Sequence, residues 1–208
     1  MISAIILAAG ASSRMGRPKA GLQFGQTGET VLSRIVSTIL AGGVPQVVVV
    51  GGAHIDAVRA AMPSHEPRAR VIEHEGWQHG QLSSLLAGLA AIDDHLLLEA
   101  VLVTPVDVPL VGAATIAALI AAWRRTRAPI VRPVEPSTAI RAGGQRHGHP
   151  VIFDRSIFDD LRAADPAVGA KAVFAAHRDR VLNVEVQDSG AFEDMDTPEE
   201  YRRLLGHE

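Results

Sequence analysis

The chain has 208 residues, of which 47% are hydrophobic but only 4% aromatic, so we expect a sizeable core built mainly from Ala, Val, Leu and Ile. Its 20 Lys and Arg against 23 Asp and Glu give a formal charge of -3, which excludes a general electrostatic footprint for nucleic acid or an anionic membrane. The absence of cysteine excludes disulfides, thiolate zinc sites and thiol nucleophiles. No signal-peptide pattern and no apolar run of roughly 20 residues is found, so we predict a cytoplasmic protein.

The first half of the chain alternates short β-branched runs with helical patterns. The runs are apolar on both faces and end in Gly, Pro or Asp, which predicts buried strands over residues 2–7, 46–52, 70–74 and 100–107. The helical patterns lie between them, over residues 30–43, 54–62 and 82–96. This alternation is typical of a mainly parallel sheet with helices on both faces.

The second half continues with mixed elements. In chain order we predict a helix over 113–126, short strands around "PIVRP" (129–133) and "STAIRA" (137–142), a turn over 143–150, a strand at 151–153, helices over 155–177, a strand over 180–186 and a closing helix after Pro198. No repeat or long linker interrupts them. We therefore predict a single-domain, three-layer α/β/α Rossmann-like fold, with a mainly parallel twisted sheet and a small antiparallel addition.

Three polar loops follow predicted strands, at Gly10–Lys19, Gly76–Ser84 and Pro105–Pro109. Ligands of open α/β sheets bind beyond the carboxyl ends of the strands, where such loops converge. We therefore expect the three loops to form one site.

The first loop, "GASSRMGRPK", matches neither common glycine-rich phosphate binder. Gly10 and Gly16 are too far apart for a Walker loop, and no G-x-G-x-x-G is present. Small residues nevertheless let backbone N–H groups approach an anion. The hydroxyls and cations of the loop are Ser12, Ser13, Arg14, Arg17 and Lys19. The residues alone leave two interpretations, a phosphate-binding loop or a solvated basic loop.

The longer segment "LAAGASSRMGRPK" (7–19) resembles the signature Leu-Ala-x-Gly-x-Ser-x-Arg-Met-Gly-x-x-Lys. This is the signature of nucleotidyltransferases related to molybdenum cofactor cytidylyltransferase and guanylyltransferase, which have a glycosyltransferase-A-like fold. The likeness continues through "HGQLSSLLAGL", "TPVDVPLV", "GHPVIF" and "DMDTPEEY". It implies one nucleotidyltransferase domain over residues 1–208, with a nucleotide-binding half (1–110) and an acceptor-binding half (111–208).

The resemblance also implies roles for individual residues. The implied nucleotide-binding residues are Leu7, Ala8, Ala9, Gly10, Ser12, Ser13, Arg14, Lys19, Gly80, Gln81 and Ser83. The implied acceptor-binding residues are Gly148, His149 and Pro150, and the implied catalytic residues are Arg14, Lys19 and Asp107. Two other interpretations stay open: Ser83 or Ser84 as a helix N-cap, and His147 with His149 as an i, i+2 metal pair.

Two acidic segments are candidates for Mg²⁺, which takes one or two protein carboxylates and fills its other positions with water and phosphate. Asp107 follows an apolar strand between two prolines, where an ordinary turn aspartate is the alternative. "DMDTPEEY" (194–201) begins like a helix with a capping box at Thr197. In the resembled family Asp107 binds the metal and Asp196 is the second ligand, although the choice between Asp194 and Asp196 stays open.

The activity implied by the resemblance is Mg²⁺-dependent transfer of a nucleoside monophosphate from an NTP to a phosphorylated small molecule, with release of pyrophosphate. Ala9 favours CTP, because Leu-Ala-Ala-Gly accompanies cytidine in the resembled family and Leu-Ala-Gly-Gly accompanies guanine. Molybdopterin is the implied acceptor, with a sugar or alcohol phosphate as the alternative, and a molybdoenzyme or its chaperone is the implied transient partner.

A different functional class is a nucleotide-binding protein or glycosyltransferase on the same scaffold. Against a glycosyltransferase, Pro-Val-Asp-Val-Pro (105–109) stands where an Asp-x-Asp motif is expected.

Overall fold

The computed structural model describes residues 1–26, 28–93, 97–136 and 145–206. Within them, seven strands form one sheet in the order β3-β2-β1-β4-β6-β5-β7. The strands are β1 (Ile2–Ala8), β2 (Val47–Gly51), β3 (Ala69–Glu73), β4 (Ala100–Pro105), β5 (Ile130–Val134), β6 (Val151–Asp154) and β7 (Val181–Glu185). The α-helices are α1 (Val31–Ala41), α2 (Ile55–Ala60), α3 (Gln81–Ala90), α4 (Ala113–Thr126), α5 (Phe158–Ala163), α6 (Lys171–Ala176) and α7 (Pro198–Leu205).

The sheet is mostly parallel, as predicted. β1 runs parallel to both β2 and β4, β3 runs parallel to β2, and β7 runs parallel to β5. The antiparallel strand is β6, which lies inside the sheet and pairs with β4 on one side and β5 on the other. The strand predicted at "STAIRA" and the last residues of the helix predicted over 82–96 lie outside the described residues.

The predicted three layers are confirmed by the alternation of side chains along β1. Ile6 and its even-numbered neighbours join a core with side chains of α1 and α4. Ile5 and Leu7 join a second core on the opposite face, with side chains of α3 and α5. A strand covered on both faces must be apolar throughout, which explains the unbroken hydrophobic run.

One strand prediction is wrong in its burial. The run over 70–74 is predicted to be buried on both faces, but β3 is only partly buried along its length. The reason is its position at an edge of the sheet, where it pairs with β2 alone. The helices predicted over 155–177 are present as the two short helices α5 and α6.

Backbone hydrogen bonds hold the loops together at the carboxyl edge of the parallel strands. The amide of Val106, just after β4, donates to the carbonyl of Leu7 in β1 at 3.0 Å. The amide of Ala53, just after β2, donates to the carbonyl of Ala9 at 3.0 Å. The first turns after three adjacent strands are therefore fixed relative to one another.

The described part of the chain contains no helix long and apolar enough to cross a membrane. The cytoplasmic location stays a prediction.

We expect Gly88→Ala to destabilise the fold, because α3 packs closely on the sheet. A Cβ at this position would lie 2.7 Å from Cγ2 of Ile5 and 3.0 Å from Cγ2 of Val50. Overpacking of this kind costs about 1–3 kcal/mol, whereas helix propensity alone would stabilise the alanine variant by about 1 kcal/mol. Urea denaturation followed by circular dichroism measures whether the substitution lowers or raises the free energy of unfolding. A higher free energy of unfolding for the variant would mean that α3 can move away from the sheet without cost.

Candidate functional site

A cavity of about 340 Å³, which we call the strand-end cavity, opens at the carboxyl edge of β1 and β4. All three loops that the sequence predicts to converge contribute to it. Its lining residues are Leu7, Ala9, Gly10, Ser12, Lys19, Trp77, Gln78, Gly80, Gln81, Ser84, Pro105, Val106 and Asp107.

Lys19 is the central charge beside this cavity. Its Nζ donates to Oδ2 of Asp107 at 3.1 Å and to Oδ1 of Asp196 at 2.6 Å. The Lys19 side chain is only 9% exposed, so its charge depends on these two carboxylates. Arg14 reaches the same cluster from solvent, with Nη2 2.8 Å from Oδ2 of Asp196. Four residues predicted for catalysis and metal binding are therefore in direct contact.

The carboxylate of Asp196 is stabilised in its charged form. Burial favours a higher pKa for Asp196, but the hydrogen bond from Lys19 and the positive charges of Lys19 and Arg14 outweigh it, so the pKa lies below its ordinary value. Two cations thus face two carboxylates, and the cluster is electrically balanced.

The loop that carries these cations bends through unusual backbone conformations. Gly16 has a φ of 72°, which a glycine adopts readily, and its amide donates to the carbonyl of Ser12 at 3.0 Å. Ser12 itself has a φ of 51°, which is uncommon for a residue with a Cβ and costs conformational energy. A single turn of 3-10 helix at Lys19–Gly21 then directs Lys19 towards the sheet.

The capping box predicted at Thr197 is confirmed. The Oγ1 of Thr197 accepts from the amide of Glu200 at 3.2 Å, and Oε2 of Glu200 accepts from the amides of Thr197 and Asp196 at 2.9 and 2.8 Å. These backbone hydrogen bonds lower the pKa of Glu200. The same capping box fixes the backbone of Asp196, whose carboxylate contacts Lys19. This segment therefore both starts α7 and holds a carboxylate beside the cavity.

Asp194 lies apart from the cationic cluster. It is exposed, and within the described residues it forms no ion pair. Between these two aspartates the amide of Met195 donates to the carbonyl of Asp107 at 2.8 Å, which ties the two acidic segments together. Of the two acidic residues left open by the sequence, Asp196 is the one that shares the Lys19 ammonium with Asp107.

The N-cap prediction for Ser83 or Ser84 is wrong. The residue before α3 is Gly80, with a φ of 96°, and no side chain caps the helix. The Oγ of Ser83 donates to the carbonyl of Gly80 at 2.8 Å and lies 3.0 Å from Nε2 of His74, and Ser83 is not among the residues that line the strand-end cavity. Ser84, which is buried, lines the cavity instead.

The three residues predicted to bind an acceptor have different surroundings. Gly148 is buried, and a Cβ there would overlap the carbonyl oxygen of Ala191, so the backbone packs too closely at this position for any side chain. Pro150 is also buried, and it lines a small interior space beside α1 and α4. Only His149 lines an open cavity, which adjoins the strand-end cavity. Burial lowers the pKa of His149, and the charges of Asp107 and Asp194 only partly offset this effect.

The metal pair considered for His147 and His149 has no support. Among the described residues, no group of three His, Cys, Asp or Glu side chains is placed to hold a metal ion. Asp107 and Asp196 do fit a hard cation with few protein ligands, because one positively charged atom, Nζ of Lys19, already lies between their oxygens.

Trp77 and Gln78 line the cavity as part of the predicted Gly76–Ser84 loop, although no sequence motif singles them out. Trp77 begins a 3-10 turn and packs against Gly52, where a Cβ would lie 2.7 Å from both the Trp77 Cβ and the Ala9 carbonyl oxygen. The signal available in the sequence was its position, because Trp77 immediately precedes the "QHGQLSS" segment.

A cationic loop and paired carboxylates at the carboxyl edge of such a sheet are typical of nucleotidyltransferases with the nucleotide-sugar transferase fold. The chain belongs to the MobA-like NTP transferase domain family, which matches residues 4–181.

Relatives and solved structures are similar to this chain over nearly its full length, although their names differ in the activity they state. The chain is 32% identical over 206 residues to nicotine blue oxidoreductase of Paenarthrobacter nicotinovorans, covering 98% of this chain and 96% of the relative. It is 30% identical over 213 residues to molybdenum cofactor guanylyltransferase of Rhizobium meliloti, covering 96% and 88%. Mycobacterium tuberculosis Rv0371c has a similar structure, with a TM-score of 0.79 and 29% identity over 99% of this chain and 98% of that one.

A second structure of Rv0371c, in complex with manganese, has a TM-score of 0.72 and 28% identity, with coverage of 100% and 99%. A divalent metal ion is therefore consistent with the family.

We expect Thr197→Ala to lower the free energy of unfolding by about 1 kcal/mol through loss of the α7 cap. The comparison variant is Thr30→Ala at the start of α1, which should destabilise more, because Oγ1 of Thr30 accepts from the amide of Ser33 at 3.0 Å and also donates to the carbonyl of Ala61 at 2.7 Å. Thermal and urea unfolding of both variants measure the effect. An unchanged free energy of unfolding in Thr197→Ala would show that the capping box does not stabilise the protein.

Proposed function

We propose that this protein is a Mg²⁺-dependent nucleotidyltransferase that moves a nucleoside monophosphate from an NTP to a phosphorylated small molecule. CTP is the favoured donor and molybdopterin or its molybdenum-bound form the favoured acceptor. The observation that carries the proposal is the position of Lys19, between Asp107 and Asp196 at the strand-end cavity.

The reaction requires positive charge around a triphosphate. An oxygen of the acceptor phosphate bonds to the α-phosphorus, the bond from that phosphorus to the bridging oxygen breaks, and pyrophosphate leaves with the electron pair. A Mg²⁺ ion held by Asp107 and Asp196 would neutralise part of the charge that accumulates on the phosphate oxygens. Arg14 and Lys19 supply fixed cations at the same place, and Gly10 and Ser12 allow a close approach of the phosphates.

The choice of base rests on a smaller feature. Ala9 is buried and lines the strand-end cavity next to Gly10. The preference for CTP follows from Ala9 and the resembled family, and GTP is the alternative donor. The relative named molybdenum cofactor guanylyltransferase supports a molybdopterin acceptor for this chain as well.

The direct experiment is pyrophosphate release from each of ATP, CTP, GTP and UTP, with Mg²⁺ and molybdopterin. We expect the fastest release with CTP and release that depends on both the metal and the acceptor. A protein that binds nucleotide but releases no pyrophosphate with any acceptor would be a binding protein on the same scaffold.

We expect Asp107→Asn to abolish turnover with the fold intact, since the amide keeps the shape but removes a charged metal ligand. Asp196→Asn should act in the same way, whereas Asp194→Asn, a neighbouring exposed change, is the matched control and should retain activity. Pyrophosphate release and thermal unfolding are measured for all three. Activity lost in Asp194→Asn but kept in Asp196→Asn would reverse the assignment of the second ligand.

We expect Lys19→Ala to lower kcat/KM by a factor equivalent to about 2 kcal/mol or more of transition-state stabilisation. The control is Arg17→Ala in the same loop, because the Arg17 guanidinium lies 5.3 Å from the centre of the Tyr201 ring, outside the Lys19 cluster. Steady-state kinetics with saturating Mg²⁺ measure kcat/KM for both variants. An unchanged kcat/KM in Lys19→Ala would restrict Lys19 to a structural role.

A further inference from the structure

The loop between β3 and α3, residues 74–80, forms one wall of the strand-end cavity. Trp77, Gln78 and Gly80 line the cavity from this loop. The loop contains one turn of 3-10 helix at Trp77–His79, and its backbone turns at Gly80, whose φ is 96°. A loop with so little regular structure needs further contacts to keep a single conformation. The shape of this wall therefore depends on what holds the loop at its two ends.

The hydroxyl of Ser83, in the first turn of α3, reaches the loop at three points. Its Oγ lies 2.8 Å from the carbonyl oxygen of Gly80, 3.3 Å from that of Gly76 and 3.0 Å from Nε2 of His74. A hydroxyl has one proton to donate, and a carbonyl oxygen only accepts. Because the proton of Ser83 goes to a carbonyl, its contact with His74 is a hydrogen bond in which Nε2 donates to Oγ.

His74 is itself fixed to the sheet. It is the residue that follows β3, and its amide donates to the carbonyl of Gly51, at the end of β2, at 2.9 Å. Its ring lies close to Gly76, where a Cβ would be 3.1 Å from Cε1 of His74. The His74–Ser83 hydrogen bond thus joins the end of β3 to the start of α3 and closes the loop across its base. We call this pair of side chains the loop clasp.

The loop clasp does not belong to the surface that meets a ligand. Both of its residues are only partly exposed, and neither is among those that line the strand-end cavity. Without the clasp, the wall formed by Trp77, Gln78 and Gly80 would adopt several conformations. A ligand would then have to order the loop on binding, which lowers its affinity. The clasp can therefore act on affinity without touching the ligand.

We propose that His74 and Ser83 are positioning residues for the nucleotide, and that the loop clasp holds the wall of Trp77, Gln78 and Gly80 in the conformation that binds it. Ser83 then acts through this wall, and not through the direct nucleotide contact that the family resemblance implies. The inference rests on the proposed function, because it takes an NTP as the ligand of the strand-end cavity.

The test is a double-mutant cycle of Ser83→Ala, His74→Ala and the two combined. Alanine is the better helix former, so Ser83→Ala does not weaken α3 through helix propensity. Calorimetry on the full chain with Mg²⁺ and CTP, and in parallel with Mg²⁺ and GTP, measures nucleotide affinity. We expect each single variant to raise the Kd about three- to tenfold, the size of effect that one lost hydrogen bond gives. The double variant should raise it by clearly less than the product of the two factors, because both changes open the same clasp.

Two further variants complete the design. His74→Gln is the conservative change, because its side-chain Nε2 also donates, and it should bind CTP within about twofold of the unaltered protein. The matched control is His79→Ala, at a histidine of the same loop. The exposed side chain of His79 forms no hydrogen bond within the described chain and does not line the cavity, so the affinity should stay unchanged.

Two other measurements separate positioning from a general loss of stability. In steady-state pyrophosphate release, His74→Ala should raise KM for the NTP and leave kcat at saturating nucleotide within about twofold. Without nucleotide, amide hydrogen exchange followed by mass spectrometry should be faster over residues 75–82 in both single variants and unchanged in β1 and β4.

Weaker CTP binding in Ser83→Ala but not in His74→Ala would overturn the inference, because Ser83 would then contact the nucleotide directly. Single effects that multiply in the double variant, or an unchanged affinity in both single variants, would overturn it as well. None of these results affects pyrophosphate release by the unaltered protein, so the proposed function would survive. Conversely, a protein that binds CTP and shows the expected cycle, but releases no pyrophosphate with any acceptor, would contradict the proposed function and leave the loop clasp in place.

Discussion

The pairing of one buried ammonium with two carboxylates is the constraint on which the site depends. Lys19 lies 88 residues from Asp107 and 177 residues from Asp196 along the chain, yet its Nζ contacts both. A charge removed from water requires such partners, and the loss of one partner would leave the others uncompensated. The loop after β1, the turn after β4 and the start of α7 are therefore held in one arrangement. The backbone hydrogen bond from the amide of Met195 to the carbonyl of Asp107 also holds the start of α7 against the turn after β4.

This arrangement also sets the electrostatics of ligand binding. Arg14 and Lys19 balance Asp107 and Asp196, so little net positive charge is available for a triphosphate alone. A nucleotide that brings a divalent cation compensates the carboxylates and leaves both side-chain cations for phosphate oxygens. For the proposed reaction, this balance would favour a nucleotide bound together with its metal ion over either one alone. The exposed side chain of Arg14 allows it to change partners at low cost.

The sequence predicted the features that depend on local pattern. β-branched runs identified the strands, the order Thr-Pro-x-Glu identified the start of α7, and the convergence of strand-end loops placed Lys19 beside Asp107. It did not predict what depends on distant contacts. The exposure of β3 follows from strand order, and the difference between Ser83 and Ser84 follows from the backbone of Gly80. Packing of Gly148 on Ala191 is equally nonlocal. The division into halves at residue 110 stays a prediction.

The direction of β6 has a consequence for how the site can change. Because β6 is antiparallel to β4, with Val151 opposite Val103, the residue His149 lies at the carboxyl edge of the parallel strands. One cavity is thus lined by segments up to Asp107, and much of the other by a later stretch from His149 to Phe174. Substitutions in the later stretch can therefore reshape one cavity while the residues that line most of the other stay the same. The two cavities are free to change separately in evolution.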